Sequence, residues 1–165
     1  MKLRKLQMKD AEFMLEWMHD ESVVKYLHAN FAEKTILDCR EFIKSSENNT
    51  TCLHMAIVDE NDTYMGTISL KCIRDSVAEF AISIRNSAMG KGYSSYGMKE
   101  IIKIGFEELK LEEIYWCVSK DNKRAIRFYD KNEYQKVNGC NIDAIGYSKS
   151  QIDSYFWYHV INNNK

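Results

Sequence analysis

Residues 77–109 place a strand, a glycine-containing loop and a helix in immediate succession, and this order restricts the possible folds more than any other segment. Residues 77–84 (VAEFAISI) are a nearly continuous run of β-prone side chains, which predicts a strand. After the loop, apolar residues recur at helical spacing from Met98 to Leu109. Such a junction directs free backbone N–H groups and the positive end of a helix dipole at the loop. The sequence therefore predicts an anion site, and phosphate is its natural occupant.

The loop itself, MGKGYSS over residues 89–95, contains Gly90 and Gly92. Without a Cβ, these residues can take positive φ and let the backbone approach a ligand closely. The loop is not a Walker A motif, because GxxxxGK[ST] is absent, and it is not the dinucleotide fingerprint, because Ser95 stands three residues after Gly92. Taken alone, it is either a phosphate loop of another type or a helix start with two incidental glycines.

A second strand and helix follow about twenty residues later. Residues 113–119 (EIYWCVS) predict the strand and residues 121–131 (DNKRAIRFYDK) the helix. Together with MGKGYSS, they resemble the acyl-CoA-binding core of the GNAT acetyltransferase superfamily. The G-K-G-Y and N-x-x-A-I-R-F-Y-x-K forms are most similar to its ribosomal-protein N-terminal acetyltransferase branch, although Glu133 stands where that pattern has a turn glycine.

The resemblance implies an α/β fold with a mixed, mostly antiparallel central sheet, a splayed pair of parallel strands, and helices on both faces. The rest of the sequence fits this expectation, because residues 2–6 predict an edge strand and residues 53–58 and 64–73 form an antiparallel meander with 77–84. The other predicted elements are a helix capped by Asp10, a short helix over residues 21–28, a helix opened by a Thr35–Asp38 capping box, and late strands over residues 133–137 and 154–161.

By the same resemblance, acetyl-CoA is the expected co-substrate, and its pantetheine arm would run between the strands at 77–84 and 113–119. Its amides would pair with the backbone of the first strand, where an N–H near Ile82 would polarise the thioester carbonyl. Backbone N–H groups of the loop would seat the diphosphate, with side-chain charge from Lys91 and Arg85. The predicted cofactor-binding residues are Ile82, Ile84, Arg85, Met89, Gly90, Lys91, Gly92, Tyr93, Ser94 and Asn122.

Two residues are predicted to carry the chemistry. The resemblance implies that Tyr129 donates a proton to the departing CoA thiolate, although Tyr129 could instead simply pack beside Phe128. Glu79 is the leading candidate for the base that removes the proton of the incoming amine, although it could instead face solvent or pair with a lysine. Asn122 is expected either to contact the CoA arm or to cap the following helix, and both roles are compatible.

The acceptor is expected to lie against residues 17–31 and the late strands. The candidate side chains are Trp17, His28, Asn30 and Phe31, for each of which core packing is the alternative. The predicted activity is an N-acetyltransferase that moves an acetyl group from the thioester directly to a primary amine of a small acceptor such as an amino sugar. A protein N-terminal amine as acceptor and a non-catalytic acyl-CoA-binding module remain as alternatives.

Properties of the whole chain narrow its context. A length of 165 residues predicts a single acetyltransferase domain over 1–165, and a formal net charge of −1 argues against a nucleic-acid partner. No apolar run is long enough for a membrane span, and the first residues lack a signal-peptide pattern. Five cysteines without C-x-x-C and four histidines without ligand spacing predict a metal-free cytoplasmic protein. The aromatic segment at 154–161 would allow a homodimer.

Overall fold

A mixed β-sheet organises the structure, a computed structural model that describes residues 1–138 and 146–163. Its strands are β1 (Lys2–Lys5), β2 (Leu53–Val58), β3 (Tyr64–Arg74), β4 (Val77–Ile84), β5 (Glu113–Ser119), β6 (Gln135–Val137) and β7 (Tyr155–Ile161). The helices are α1 (Ala11–Met18), α2 (Glu21–Val24), α3 (Ile36–Ser46), α4 (Tyr93–Glu107), α5 (Lys123–Lys131) and α6 (Lys149–Ser154). Within the described residues, the strand order is β1-β2-β3-β4-β5-β7-β6, which places β1 at an edge as predicted.

The sheet contains one parallel pair, β4 and β5, among the strands that the structure describes. The pair is in register only at Val77–Glu113, Ala78–Ile114 and Glu79–Tyr115. Beyond Glu79 the two strands are no longer paired with each other, whereas β4 continues against β3 and β5 continues against β7, both antiparallel. The predicted fold class, with its splayed parallel pair, is confirmed.

Helices cover both faces of the sheet. Successive residues of a strand point to opposite faces, so the contacts of two neighbouring residues show which helices lie on each face. Ile57 of β2 packs in a core with Met98 of α4. Its neighbour Ala56 packs in a second core with Met14 of α1 and Ile43 of α3. Helix α4 therefore lies on one face, and α1 and α3 lie on the other.

Gly97 explains how closely α4 approaches the sheet. A Cβ at this position would lie 2.6 Å from Cδ1 of Ile57 and 3.1 Å from Cδ1 of Ile68. The helix backbone therefore lies directly against β2 and β3 at this position.

Several local predictions are confirmed and others are revised. The Thr35–Asp38 capping box opens α3 as expected. Asp10 precedes α1, but its buried carboxylate accepts hydrogen bonds from the Arg4 guanidinium at 2.7 and 2.8 Å and from the Gln7 N–H at 2.8 Å, so it pairs with β1 and does not cap the helix. The helix predicted at 21–28 ends at Val24.

At the C-terminal end, the strand predicted from residue 133 begins at Gln135, and α6 was not predicted. Cys140, one of the five cysteines, lies outside the described residues. No helix in the described part of the chain is both long and apolar enough to cross a membrane.

Candidate active site

An outer cleft of about 710 Å³ lies between the glycine loop and α5. One side is lined by residues 89–95 with the exception of Lys91. Gly90 and Gly92 have φ values of 77° and 86°, which glycine adopts without steric cost. Gly92 is also the residue from which α4 starts, and the first N–H groups of a helix have no acceptor inside it. This end of the cleft therefore has the backbone groups that a diphosphate requires.

Positive charge in the outer cleft comes from α5. Lys123, Arg124 and Arg127 line the cleft together with Lys25, and Asp121 is the one carboxylate among the described residues lining it. The resulting excess of cations attracts an anionic ligand such as the phosphates of coenzyme A.

Arg85 and Lys91, the cations expected at the diphosphate, do not line this cleft. The Arg85 guanidinium donates to both carboxylate oxygens of Glu16, at 3.1 and 2.7 Å, and to the Tyr64 carbonyl at 3.0 Å. These bonds hold the side chain against α1 and β3, and the expectation that Arg85 adds charge to the diphosphate stays a prediction. Lys91 is exposed, and its N–H donates to the Ala88 carbonyl within the loop.

An inner cavity of about 330 Å³ lies where β4 and β5 part. It shares Ile82, Ser83, Asn122 and Tyr129 with the outer cleft, so the two spaces adjoin at these residues. Glu79 also lines the inner cavity. The fold thus brings both predicted catalytic side chains to one small space beside the cleft.

The Tyr129 ring is held among other aromatic rings. Its centroid lies 5.0 Å from that of Tyr158 and 5.4 Å from that of Trp116, and only 7% of the residue is exposed. Burial raises the pKa of the phenol above its usual value. Tyr129 therefore stays protonated at neutral pH, so its hydroxyl can donate a hydrogen bond to a group in the cavity.

Glu79 is buried, with 4% of the residue exposed, and its carboxylate has two donors. The Tyr147 hydroxyl donates to Oε1 at 2.9 Å, and the Lys71 ammonium donates to the same oxygen at 3.3 Å. Oε2 has no hydrogen-bond partner among the described residues. Glu79 is therefore paired with a lysine, which was one of the alternatives for this residue, and its second carboxylate oxygen remains available to a ligand.

Tyr147 is a candidate site residue that the sequence did not indicate. Its ring centroid lies 5.3 Å from that of His28 and 5.5 Å from that of Trp157, and its hydroxyl also lies 3.7 Å from Sγ of Cys117. Burial raises the pKa of the Cys117 thiol to about 11, so this sulfur is not ionised at neutral pH. Tyr147 thus lines the inner cavity, and its hydroxyl donates to the Glu79 carboxylate there.

Asn122 occupies a position that fits both of its predicted roles. Its side-chain oxygen accepts from the Ala125 N–H at 3.1 Å and caps α5. Asn122 also lines both the outer cleft and the inner cavity. Ile84, another predicted cofactor-binding residue, lines the outer cleft but not the inner cavity.

Comparison with known families identifies the arrangement. The family model described as the acetyltransferase (GNAT) domain matches residues 1–135. This chain is a GNAT acetyltransferase. It is therefore an N-acetyltransferase with acetyl-CoA as its co-substrate, which agrees with the glycine loop, the cationic cleft and the parted strands.

Individual relatives lie at moderate similarity. The chain is 26% identical over 163 residues to the uncharacterized N-acetyltransferase p20 of Bacillus licheniformis, covering 88% of this chain and 90% of that protein. It is 28% identical over 136 residues to spermidine N(1)-acetyltransferase of Escherichia coli K12, covering 79% and 70%. The fold matches the crystal structure of spermidine N-acetyltransferase from Vibrio cholerae in complex with CoA and spermine, with a TM-score of 0.80, 17% identity and coverage of 97% and 94%.

The acceptor wall predicted for this GNAT chain is only partly assembled. His28 and Phe31 line the inner cavity. Trp17 is 4% exposed and its indole N–H donates to the Tyr64 hydroxyl at 2.9 Å, so it packs in the core beside α1, and it also lines a third cavity next to the inner one. Asn30 lines neither the outer cleft nor the inner cavity, and its side chain accepts from the Ala32 N–H at 3.0 Å. Only His28 and Phe31 therefore stay candidates for contact at the inner cavity.

A third space, the side cavity of about 570 Å³, lies between α1, α3 and the meander. It shares Phe31, Lys71, Ala81, Ile82 and Ser83 with the inner cavity. Across residues 1–138 and 146–163, no cluster of three or more His, Cys, Asp or Glu side chains could hold a metal ion.

Proposed function

We propose that this GNAT enzyme acetylates the primary amine of a small-molecule acceptor, such as an amino sugar, in the inner cavity. One observation carries the proposal: Tyr129 and Glu79 line the same cavity of about 330 Å³, at the point where the parallel strands part.

In the proposed reaction, the amine nitrogen bonds to the acetyl carbon as the carbon–sulfur bond of the thioester breaks. Glu79 accepts the proton that the ammonium must lose before attack, through Oε2 or one bridging water. Tyr129 donates its proton to the departing thiolate, and a backbone N–H near Ile82 stabilises the negative charge on the carbonyl oxygen. The nitrogen loses its second proton as the amide forms, and this proton restores the Tyr129 hydroxyl, so that the products are the amide and the free thiol. Each of these groups lies at the inner cavity or its junction with the cleft.

The size of the inner cavity favours a small acceptor. A volume of about 330 Å³ lies at the lower end of the range of roughly 300–1,000 Å³ for small-molecule sites. Aromatic rings of Tyr26, Tyr147 and Tyr155 line it, and such faces suit a sugar ring or an aliphatic body. A protein N-terminus would need an open groove at this point, so it is the less favoured acceptor.

The test is thiol release from acetyl-CoA with a panel of amines that includes amino sugars, polyamines and N-terminal peptides. For Tyr129→Phe we expect turnover to fall about a hundredfold, the lower end of general-acid effects, with coenzyme A affinity retained in calorimetry. Tyr134→Phe is the matched control, because its ring lies 6.2 Å from that of Tyr129 but lines none of the three cavities.

Unchanged turnover in Tyr129→Phe would refute the assigned proton donor. Coenzyme A binding without thiol release for any amine would instead support a non-catalytic acyl-CoA-binding module. Release with N-terminal peptides alone would replace the small acceptor by a protein.

A further inference from the structure

Lys71 lies between the inner cavity and the side cavity and lines both. It stands directly opposite Glu79 in the β3–β4 ladder, so the two side chains share one face of the sheet. The Lys71 side chain is 34% exposed and that of Glu79 is 5% exposed. The ammonium is therefore the more accessible half of the pair.

The charged side chains around both cavities are balanced. In the inner cavity, the described charged residues are Lys71 and Glu79. In the side cavity, Lys34 and Lys71 face two carboxylates, those of Asp38 and Glu41.

His54 adds no positive charge to the side cavity. Burial and the nearby charge of Lys71 lower the pKa of its imidazole, which is therefore neutral at pH 7. An acceptor with a single ammonium thus brings one uncompensated positive charge, and a polyamine brings several.

The unused hydrogen-bonding groups of Lys71 and Glu79 indicate which ligand would compensate this charge. The Lys71 ammonium has three N–H donors, and its one hydrogen bond within the described residues goes to Oε1 of Glu79. Both hydrogen bonds to Glu79 within the described residues go to Oε1, so Oε2 accepts none. The pair therefore offers a free acceptor and free donors a few ångströms apart, which together match a ligand with an ammonium beside an anion.

We propose that the acceptor is a primary amine that carries a carboxylate or phosphate close to the amine. Glu79 binds the ammonium, and Lys71 binds the anionic group. This inference rests on the proposed function and narrows its substrate class. A polycation such as spermidine would place a second ammonium against Lys71 and is the disfavoured class, although relatives of this chain carry the name of spermidine acetyltransferases.

The experiment compares kcat/KM for two matched pairs, glucosamine 1-phosphate with glucosamine and L-serine with L-serinamide, with spermidine as a fifth acceptor. At least one anionic member should exceed its neutral partner tenfold or more, and the two pairs distinguish phosphate from carboxylate. In Lys71→Met this ratio should fall to about one, whereas Lys71→Arg should retain it. Lys103→Met, an exposed lysine of α4, is the matched control and should leave the ratio unchanged.

Using a ratio cancels any effect of Lys71 on Glu79 that both members of a pair share. Equal use of the neutral and anionic members by the unaltered protein would overturn the inference, as would a preference for spermidine or an unchanged ratio in Lys71→Met. Each of those results leaves acetyl transfer intact. Absence of thiol release with every amine would refute the proposed function itself.

Discussion

Replacing Gly66 by alanine should impair catalysis through the backbone of β4. Gly66 lies in β3, and a Cβ there would lie 2.5 Å from the Ser83 carbonyl oxygen and 2.7 Å from Cδ1 of Ile84. An ordinary Cβ contact begins at 3.4 Å, so the carbonyl must move by about 0.9 Å (3.4 − 2.5). Because this atom belongs to a strand paired on one side with β3, the displacement shifts β4 itself.

The expected loss follows from where Ser83 lies. It lines the outer cleft, the inner cavity and the side cavity, next to the predicted thioester position at Ile82. A misplacement of about 1 Å in a reacting geometry can reduce the rate on the order of a hundredfold. Overpacking adds a loss of about 1–3 kcal/mol in the free energy of unfolding. The assays are kcat/KM for acetyl-CoA by thiol release and chemical denaturation.

Gly97→Ala provides the matched control. Its Cβ would contact side-chain ends of Ile57 and Ile68, which can move, and alanine gains about 1 kcal/mol over glycine within a helix. We expect a smaller loss of stability and turnover within about threefold of the unaltered protein. Normal turnover in Gly66→Ala, or equal losses of activity in both variants, would refute the reasoning.

Three further predictions concern single side chains. Tyr147→Phe removes a hydrogen bond to the Glu79 carboxylate, which is worth about 1.5–3 kcal/mol. Turnover should therefore fall tenfold or more, while the CoA affinity measured by calorimetry is unchanged. Turnover equal to that of the unaltered protein would contradict the role of Tyr147. Because burial raises the pKa of Cys117 to about 11, its alkylation by iodoacetamide should be slow at pH 8 and accelerate as the pH rises toward that value, as peptide mass spectrometry can measure. Glu133→Gly should stabilise the protein by about 0.5 kcal/mol in denaturation, because Glu133 has a φ of 58° that costs about 1–2 kcal/mol for a residue with a Cβ; destabilisation would contradict this.

The sequence predicts the elements around the cleft well because their signals are local. The strands at 77–84 and 113–119 are short apolar runs with turn residues at their ends, and their observed bounds agree with these predictions. Gly90 and Gly92 similarly indicate a backbone conformation by their residue type alone. The parallel pairing follows from the intervening helix, which must carry the chain back across the sheet.

Side-chain direction is not predictable in the same way, because it depends on contacts distant in sequence. Arg85 follows β4 directly, yet its guanidinium binds Glu16, which is 69 residues away. Tyr147 reaches Glu79 across 68 residues, and no local pattern marks it. The residues after Val24 were expected to remain helical, but the helix ends there, and Lys25, Tyr26 and Leu27 line the outer cleft.

The parting of β4 and β5 makes the sheet two half-sheets joined along a short seam. Among residues 1–138 and 146–163, three residue pairs hold this seam, and the facing edges beyond it have no strand partner. A pantetheine arm that pairs with either edge would act as an additional strand and make the two halves one cooperative unit. The Ile82 N–H points away from β3 and toward the gap, so it should exchange slowly with solvent deuterium only when the co-substrate is present, and its exchange rate would report ligand occupancy.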